Sequence, residues 1–195
     1  AYVIGKTDDL TQLSGFEEGA FVIQDISSML AVEALGLPKM DNQGTLKILD
    51  ICAAPGGKSM LAADILTHPG IDYMLEARDI SEYKVELMQE NFNRCHLNKA
   101  KAVAWDALEP DERWLGQADV VIADIPCSGL GVIGRKRDIK YKMTPQAVQD
   151  IGELQEKILK VAASYVKKGG KLLFSTCTVN KDENEAHVKW IQDTP

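Results

Sequence analysis

From residue 45 onward, short apolar runs alternate with longer segments of helical period, and no other feature of the sequence constrains the fold as much. Leu46 to Ile51, Asp72 to Ala77, Ala100 to Ala104, Ala118 to Ala123 and Lys171 to Ser175 read as strands. Lys58 to Leu66, Ser81 to Arg94 and Thr144 to Lys167 read as helices. The helix from Ser81 lines up Val85, Met88 and Phe92. The long one has Thr144 as N-cap and Pro145 at its first position, lines up Ile151, Leu154, Ile158, Val161 and Tyr165, and stops at Lys167-Lys168-Gly169-Gly170. Such alternation predicts an α/β fold, a mostly parallel sheet with helices on both faces.

Ahead of it, residues 1–12 show no clear pattern. Gly15-Phe16-Glu17-Glu18-Gly19 followed by the alternating Phe21-Val22-Ile23 predicts a hairpin or short strand. Asp25 or Ser27 would then cap a short helix through Met29, Leu30, Val32 and Leu35 that ends at Gly36. With a linker from Lys39 to Gly44, the expected organisation is an N-terminal appendage, residues 1–44, packed on a core of residues 45–195.

In an open parallel sheet, ligands sit beyond the carboxyl ends of the strands. The first strand ends in Cys52-Ala53-Ala54-Pro55-Gly56-Gly57-Lys58-Ser59, a turn of small residues leading into a helix N-terminus whose free N–H groups can face a ligand. It is not a phosphate-binding P-loop, because Cys52 stands where that motif needs glycine. Nor does the chain carry G-x-G-x-x-G. The other strands end at Arg78-Asp79, Trp105-Asp106, Asp124-Ile125-Pro126-Cys127 and Thr176-Cys177. Asp79 lies about 20 residues past the glycines, where an acid can accept hydrogen bonds from a ribose diol. A single strand-end acid is as readily a helix cap, but three acids and two cysteines together point to a site.

Cys127 and Cys177 are 50 residues apart yet follow strands expected to be neighbours, so they should converge. Cys52 and Cys95 fit small packing residues. No C-x-x-C or H-x-x-x-H spacing occurs among four cysteines and three histidines, which argues against a metal site or a disulfide framework. A net charge of −7 argues against gripping a polyanion by bulk electrostatics. The local exception is Arg135-Lys136-Arg137-Asp138-Ile139-Lys140-Tyr141-Lys142, directly after the Cys127 stretch. No apolar run is long enough to span a bilayer and no leader pattern opens the chain, so a cytoplasmic protein is expected.

Asp50-Ile51-Cys52-Ala53-Ala54-Pro55-Gly56-Gly57-Lys58-Ser59, Asp124-Ile125-Pro126-Cys127-Ser128 and Ser175-Thr176-Cys177-Thr178 with Glu183-Asn184 resemble the signature motifs of the RNA 5-methylcytosine methyltransferases, the Sun/NOL1/NOP2 family. Gly19 to Asp25 resembles the segment ahead of that family's core. Gly131 to Arg135 and Asp138 to Tyr141 are similar to its RsmB-type branch, which acts on 16S rRNA. Ile125 stands where the motif usually has Ala and is expected to crowd the loop. The chain stops before the last two strands of such a fold and lacks the NusB-like RNA-binding domain of the branch, so a fragment is expected.

The resemblance implies a Rossmann-like methyltransferase fold and methyl transfer from S-adenosylmethionine to cytosine C5 in RNA, 16S rRNA before tRNA, by a monomer that uses no metal. Cytosine C5 becomes nucleophilic enough only after a thiolate adds at C6. By resemblance Cys177 is that nucleophile and Cys127 assists product release; the reverse assignment, with Cys127 as nucleophile, is the mechanistic alternative. Lys58 is placed in the active site, and Asp124 would hydrogen-bond the cytosine amine or N3. Cys52 through Lys58 would cradle the methionine part of the cofactor, Asp79 the ribose, and Asp106 the adenine, with Asp124 beside them. Arg135, Lys136, Arg137 and Lys140 would meet RNA phosphates, and Tyr141 would stack on a base. A noncatalytic RNA-binding module, a nicotinamide oxidoreductase and a small-molecule methyltransferase are the readings from other classes.

Overall fold

Strand β1 (Leu46–Asp50) sits at the middle of the molecule because both of its faces are apolar. Leu46 and Ile48 point to one side and Leu49 to the other, all fully buried. The computed structural model describes residues 10–40 and 44–193, and within it β1 pairs in parallel with β2 (Tyr73–Asp79) on one side and β4 (Ala118–Asp124) on the other. Strand β3 (Ala100–Ala104) extends the sheet beyond β2 and β5 (Val166–Ser175) beyond β4. The order is β3-β2-β1-β4-β5, all parallel. The chain thus runs outward from β1 to β3 and crosses back to β4. In an open parallel sheet such a reversal, here at the carboxyl ends of β1 and β4, is where a ligand crevice lies.

Helices cover both faces. On the first, α1 (Ile26–Glu33), α2 (Gly57–Thr67) and α3 (Glu82–Arg94) bring Val32, Met60, Leu66, Met88 and Phe92 onto Ile48, Leu75 and Ile122. On the second, α5 (Pro145–Tyr165) buries Ile158, Leu159, Ala162 and Tyr165 against Leu49, Val121 and Ala123, and α6 (Glu185–Asp193) adds Trp190 and Ile191. Each of these large apolar side chains contributes roughly 1.5–3 kcal/mol when fully buried. Thr144 caps α5 by accepting the Ala147 N–H at 3.1 Å, with Pro145 in the first turn. Among the described residues no helix is long and apolar enough to cross a membrane.

Three sequence expectations change. Phe21-Val22-Ile23 forms no strand and no hairpin: turns run through residues 14–19 and an extended segment enters α1. Its polar groups meet a side chain instead of a partner strand, since the Arg94 guanidinium donates to the carbonyls of Phe16 at 2.6 Å and Phe21 at 3.4 Å. The Lys-Lys-Gly-Gly stop is not a free turn. Helix α5 ends at Tyr165 and β5 begins at Val166, with a register shift opposite Ala118 to Val120. A Cβ on Gly170 would stand 2.9 Å from the Ala118 carbonyl, so glycine lets that irregular stretch lie against β4. Ile125 is buried in the second core and does not crowd its loop. Residues 1–9 and the linker residues 41–43 lie outside the described residues.

Candidate active site

The crevice has two walls. The first is the small-residue turn between β1 and α2. Gly56 caps α2 at φ +95°, a conformation costly for any residue with a Cβ, and an added Cβ would meet Phe92 at 3.3 Å. The Ala53 N–H donates to the Arg78 carbonyl at 2.7 Å and the Gly56 N–H to the Ala53 carbonyl at 2.6 Å, with Ala54 and Pro55 between. This folds the turn back over the end of β2. The first N–H groups of α2 are left to face the crevice, a setting suited to a carboxylate or other anion. Cys52 is partly buried in this turn, and burial, with the charges of Asp50 and Asp79, pushes its thiol up to about 12. Its side chain packs against the second core.

Asp79 closes β2, mostly buried, and accepts the Ser81 N–H at 3.1 Å with Lys84 3.5 Å away. A carboxylate has about four acceptor positions, so this bond leaves capacity for a ribose hydroxyl. Asp106 is more open and accepts the Leu108 N–H at 2.9 Å. Arg78, its neighbour in the strand-end reading, turns away. It is buried at 1% exposure, paired with Glu76 and Asp111 at 2.5 Å and stacked near Trp105, Trp114 and Tyr165. Asp50 lies beneath the turn, fully buried, and takes the Ser59 hydroxyl at 2.7 Å. Burial above all, with nearby Asp124, pushes its carboxyl up to about 7 despite that bond.

The second wall holds the thiols. Cys127 and Cys177 stand with sulfurs 3.2 Å apart, and the Cys177 N–H points at the Cys127 sulfur at 3.2 Å. Cys177 is exposed and Cys127 half-buried. Burial, together with the contact to Cys177, pushes the Cys127 thiol up to about 12. Gly131 backs this arrangement. Its N–H donates to the Cys177 carbonyl at 3.1 Å, and a Cβ there would fall 2.7 Å from the same oxygen.

Lys58 joins the walls. From the first turn of α2 its ammonium reaches Asp124 at the end of β4, at 2.6 Å, with the Lys58 side chain only 10% exposed. The Ser175 hydroxyl donates to the other Asp124 oxygen at 2.7 Å and Ser28 of α1 stands 3.4 Å from the Lys58 nitrogen. From the sequence alone Ser28 has no assigned role, and Ser175 figures only as part of the Cys177 motif. Ser175 sits two residues before Cys177 on a strand end, which was a usable signal, whereas Ser28 gives none without the packing of α1 on α2.

The basic run is not a plain loop. After a turn it forms α4 (Ile139–Lys142). Arg135 is engaged by Asp25 at 2.6 Å and Lys142 by Asp138 at 2.8 Å. Lys136, Arg137 and Lys140 are exposed, and Tyr141 is 78% exposed with the Lys140 ammonium 4.7 Å over its ring.

The family model described as 16S rRNA methyltransferase RsmB/F matches residues 37–194. The probable ribosomal RNA small subunit methyltransferase B of Bacillus subtilis (strain 168) is 40% identical over 182 residues, covering 92% of this chain and 39% of that protein. The ribosomal RNA small subunit methyltransferase F of Escherichia coli O7:K1 (strain IAI39 / ExPEC) is 31% identical over 176 residues, covering 90% and 36%. The chain thus spans about two-fifths of the length of such relatives. Among solved structures, NSun6 from Pyrococcus horikoshii with SFG superposes with a TM-score of 0.80 at 30% identity, covering 95% of this chain and 45% of that one. A methyltransferase homolog protein from Pyrococcus horikoshii gives 0.79 at 26% identity, covering 97% and 56%.

Proposed function

Because the chain belongs to the 16S rRNA methyltransferase RsmB/F family, we propose that it transfers a methyl group from S-adenosylmethionine to C5 of a cytosine in RNA, with 16S rRNA as the substrate, through a covalent bond between Cys177 and C6. Residues 45–195 form the catalytic core in this reading and residues 1–44 a segment packed on it. The observation that carries it is the pair of thiols 3.2 Å apart beside the Lys58–Asp124 ion pair. A small-molecule methyltransferase has no use for that pair.

S-adenosylmethionine, when bound, supplies an electrophilic methyl on a sulfonium. SFG, found with the Pyrococcus horikoshii NSun6, is an analogue of it. The turn Cys52 to Lys58 suits its amino-acid end, with N–H donors and a floor where Gly56 takes a φ of +95° and an added Cβ would press on Phe92 at 3.3 Å. Asp79 takes the ribose and Asp106 the adenine. Asp124, held by Lys58 and Ser175, accepts from the cytosine amine, which requires a base turned out of its stack.

The exposed Cys177, as a thiolate, adds to C6, the C5=C6 π electrons pass to C5, and C5 takes the methyl as the bond from that methyl to the sulfonium breaks and leaves its electron pair on the cofactor sulfur. Loss of the C5 proton to solvent at the open side of the site then restores the double bond as the sulfur–C6 bond breaks and its electron pair returns to Cys177. The Cys127 thiol still carries its proton at neutral pH and faces the departing sulfur, so it stabilises the thiolate being expelled. The exposure of Cys177, set against the half-burial of Cys127, favours Cys177 as the nucleophile. Lys136, Arg137 and Lys140 meet phosphates, and Tyr141 offers a ring to a base.

The test uses the full-length protein with S-adenosylmethionine and RNA carrying 5-fluorocytidine, which blocks the final proton loss. The expected result is a protein–RNA adduct on a denaturing gel that Cys177→Ala abolishes. Loss only in Cys127→Ala would reverse the assignment, and no adduct at all despite cofactor binding would point to a different substrate.

A further inference from the structure

A buried carboxylate ties together the loops that carry the two thiols. Glu183 is 1% exposed, lies just ahead of α6, and accepts from three donors. The Ser128 N–H reaches Oε2 at 2.8 Å, the Gln155 amide reaches the same oxygen at 3.1 Å, and the Asn180 amide reaches Oε1 at 3.1 Å. Gln155, itself fully buried in α5, also donates to the Pro126 carbonyl at 2.8 Å. Both peptide groups flanking Cys127 are therefore pinned to one Glu183–Gln155 unit. The Gln155 oxygen meets His187 Nε2 at 2.8 Å, which holds the amide in this orientation.

The Cys177 loop is bound to the same unit. Ser128 and Thr178 share a hydroxyl contact at 2.8 Å, the Asn180 N–H donates to the Thr178 hydroxyl at 3.2 Å, and Asn184 donates to the Thr178 carbonyl at 3.1 Å. Burial pushes the Glu183 carboxyl up, but the donors outweigh it and hold it below the usual glutamate value, so it is ionised. An acceptor-only group meets a ring of donors, and nothing in this network touches the cleft chemistry directly.

We propose that Glu183 is a positioning residue that sets the Cys127 thiol against the Cys177 sulfur, so that its loss stalls expulsion of Cys177 from the methylated base more than formation of the covalent bond. This rests on the two-thiol reading above. Glu183→Gln preserves shape but presents an NH2 to donors, so one loop is released. A displacement of about an ångström at the reacting atoms can lower a rate on the order of a hundredfold.

The experiment compares full-length wild type, Cys127→Ala, Glu183→Gln and Thr178→Val with S-adenosylmethionine and ordinary cytidine-containing 16S rRNA. It follows turnover, covalent adduct on denaturing gels and cofactor affinity by calorimetry. Cys127→Ala is expected to accumulate adduct. Glu183→Gln should accumulate it too, with turnover down about tenfold or more and cofactor affinity within about twofold of wild type. Thr178→Val removes the two contacts of the Thr178 hydroxyl, with Ser128 and with the Asn180 N–H, but leaves every Glu183 bond in place, and should show the same signature at about threefold. If Glu183→Gln fails to fold, seen as lost cofactor binding, Thr178→Val decides alone. Adduct in Cys127→Ala but in neither of the other variants overturns the positioning role. No adduct in Cys127→Ala overturns the two-thiol reading, and this inference with it.

Discussion

The two walls of the crevice are built by opposite means. The wall made by Cys52 to Lys58 comes from one continuous stretch of chain and presents backbone: its shape depends on Gly56 at φ +95° and on the N-terminus of α2. The wall made by Cys127 and Cys177 joins loops 50 residues apart and presents side chains, held by Glu183, Gln155, Ser128 and Thr178. A backbone wall tolerates most side-chain changes and fails where a Cβ is added. A side-chain wall fails one deleted atom at a time. Among the described residues of the two walls, Lys58 belongs to both, because it starts on α2 and ends on Asp124.

The sharpest way to break that division is to remove the bridge. Lys58→Met keeps the helix and most of the side-chain volume but leaves Asp124 without its cation. Methyl transfer should fall about a hundredfold or more in kcat/KM, while cofactor affinity changes by less than about tenfold. Steady-state kinetics beside calorimetry separates the two, and equal losses in both would mean that Lys58 serves only the cofactor wall.

Two glycine variants sharpen the contrast. In Gly131→Ala the new Cβ would stand 2.7 Å from the Cys177 carbonyl. Overpacking of this kind costs about 1–3 kcal/mol. Methyl transfer and the alkylation rate of Cys177 by iodoacetamide should change while cofactor binding holds. In Gly56→Ala the left-handed conformation costs roughly 1–2 kcal/mol. Here cofactor binding should weaken and the Cys177 alkylation rate should hold. A variant that disturbed both readouts would show that the walls are coupled beyond Lys58.

The same division explains what could be read from the sequence. Helical and strand periods placed β3 to the residue and α3 to within one, because both are set by local burial such as that of Met88 and Phe92. The turn could be recognised because its residues are contiguous. Gln155 could not, since a polar residue within an apolar helix stripe shows nothing of the Pro126 carbonyl 29 residues away. Arg78 looked like a strand-end cleft residue. Its acidic partners Glu76 and Asp111 and three aromatic rings draw it to the opposite side, and Asp111 lies 33 residues further on. Phe21-Val22-Ile23 had the alternation of a strand but no neighbouring strand to pair with, and Arg94 took the Phe21 carbonyl.

A stability measurement, not an activity one, probes the floor beneath the backbone wall. Asp50 has a carboxyl raised from 3.8 to about 7, chiefly by burial. Below pH 3.8 both the folded and unfolded chains hold its proton. Between the two values only the folded chain does, so its contribution to stability is lost as pH rises through about 7. Asp50→Asn keeps an acceptor for the Ser59 hydroxyl and has nothing to titrate. Unfolding of the ligand-free protein, compared between wild type and variant from pH 4 to 8, should diverge by on the order of 4 kcal/mol, with wild type falling more steeply. Parallel curves would mean that Asp50 ionises normally in the folded chain.

The smallest expected effect lies where α1 touches the rim of the thiol wall. Asp25 both caps α1 through Ser27 and pairs with Arg135, and these donors, Ser27 first, hold its carboxyl down at about 2. Asp25→Asn separates the two tasks, because asparagine caps a helix about as well as aspartate but carries no charge. The helix, and with it Ser28 beside Lys58, should stay in place, while Arg135 is freed to join Lys136, Arg137 and Lys140 on a phosphate backbone. RNA binding measured by fluorescence anisotropy should then tighten by about two- to threefold at low salt, with the slope of affinity against salt steeper by up to about one counterion. An unchanged slope would mean that Arg135 points away from the RNA path, which would confine the RNA contact to the three cations beyond it and to Tyr141.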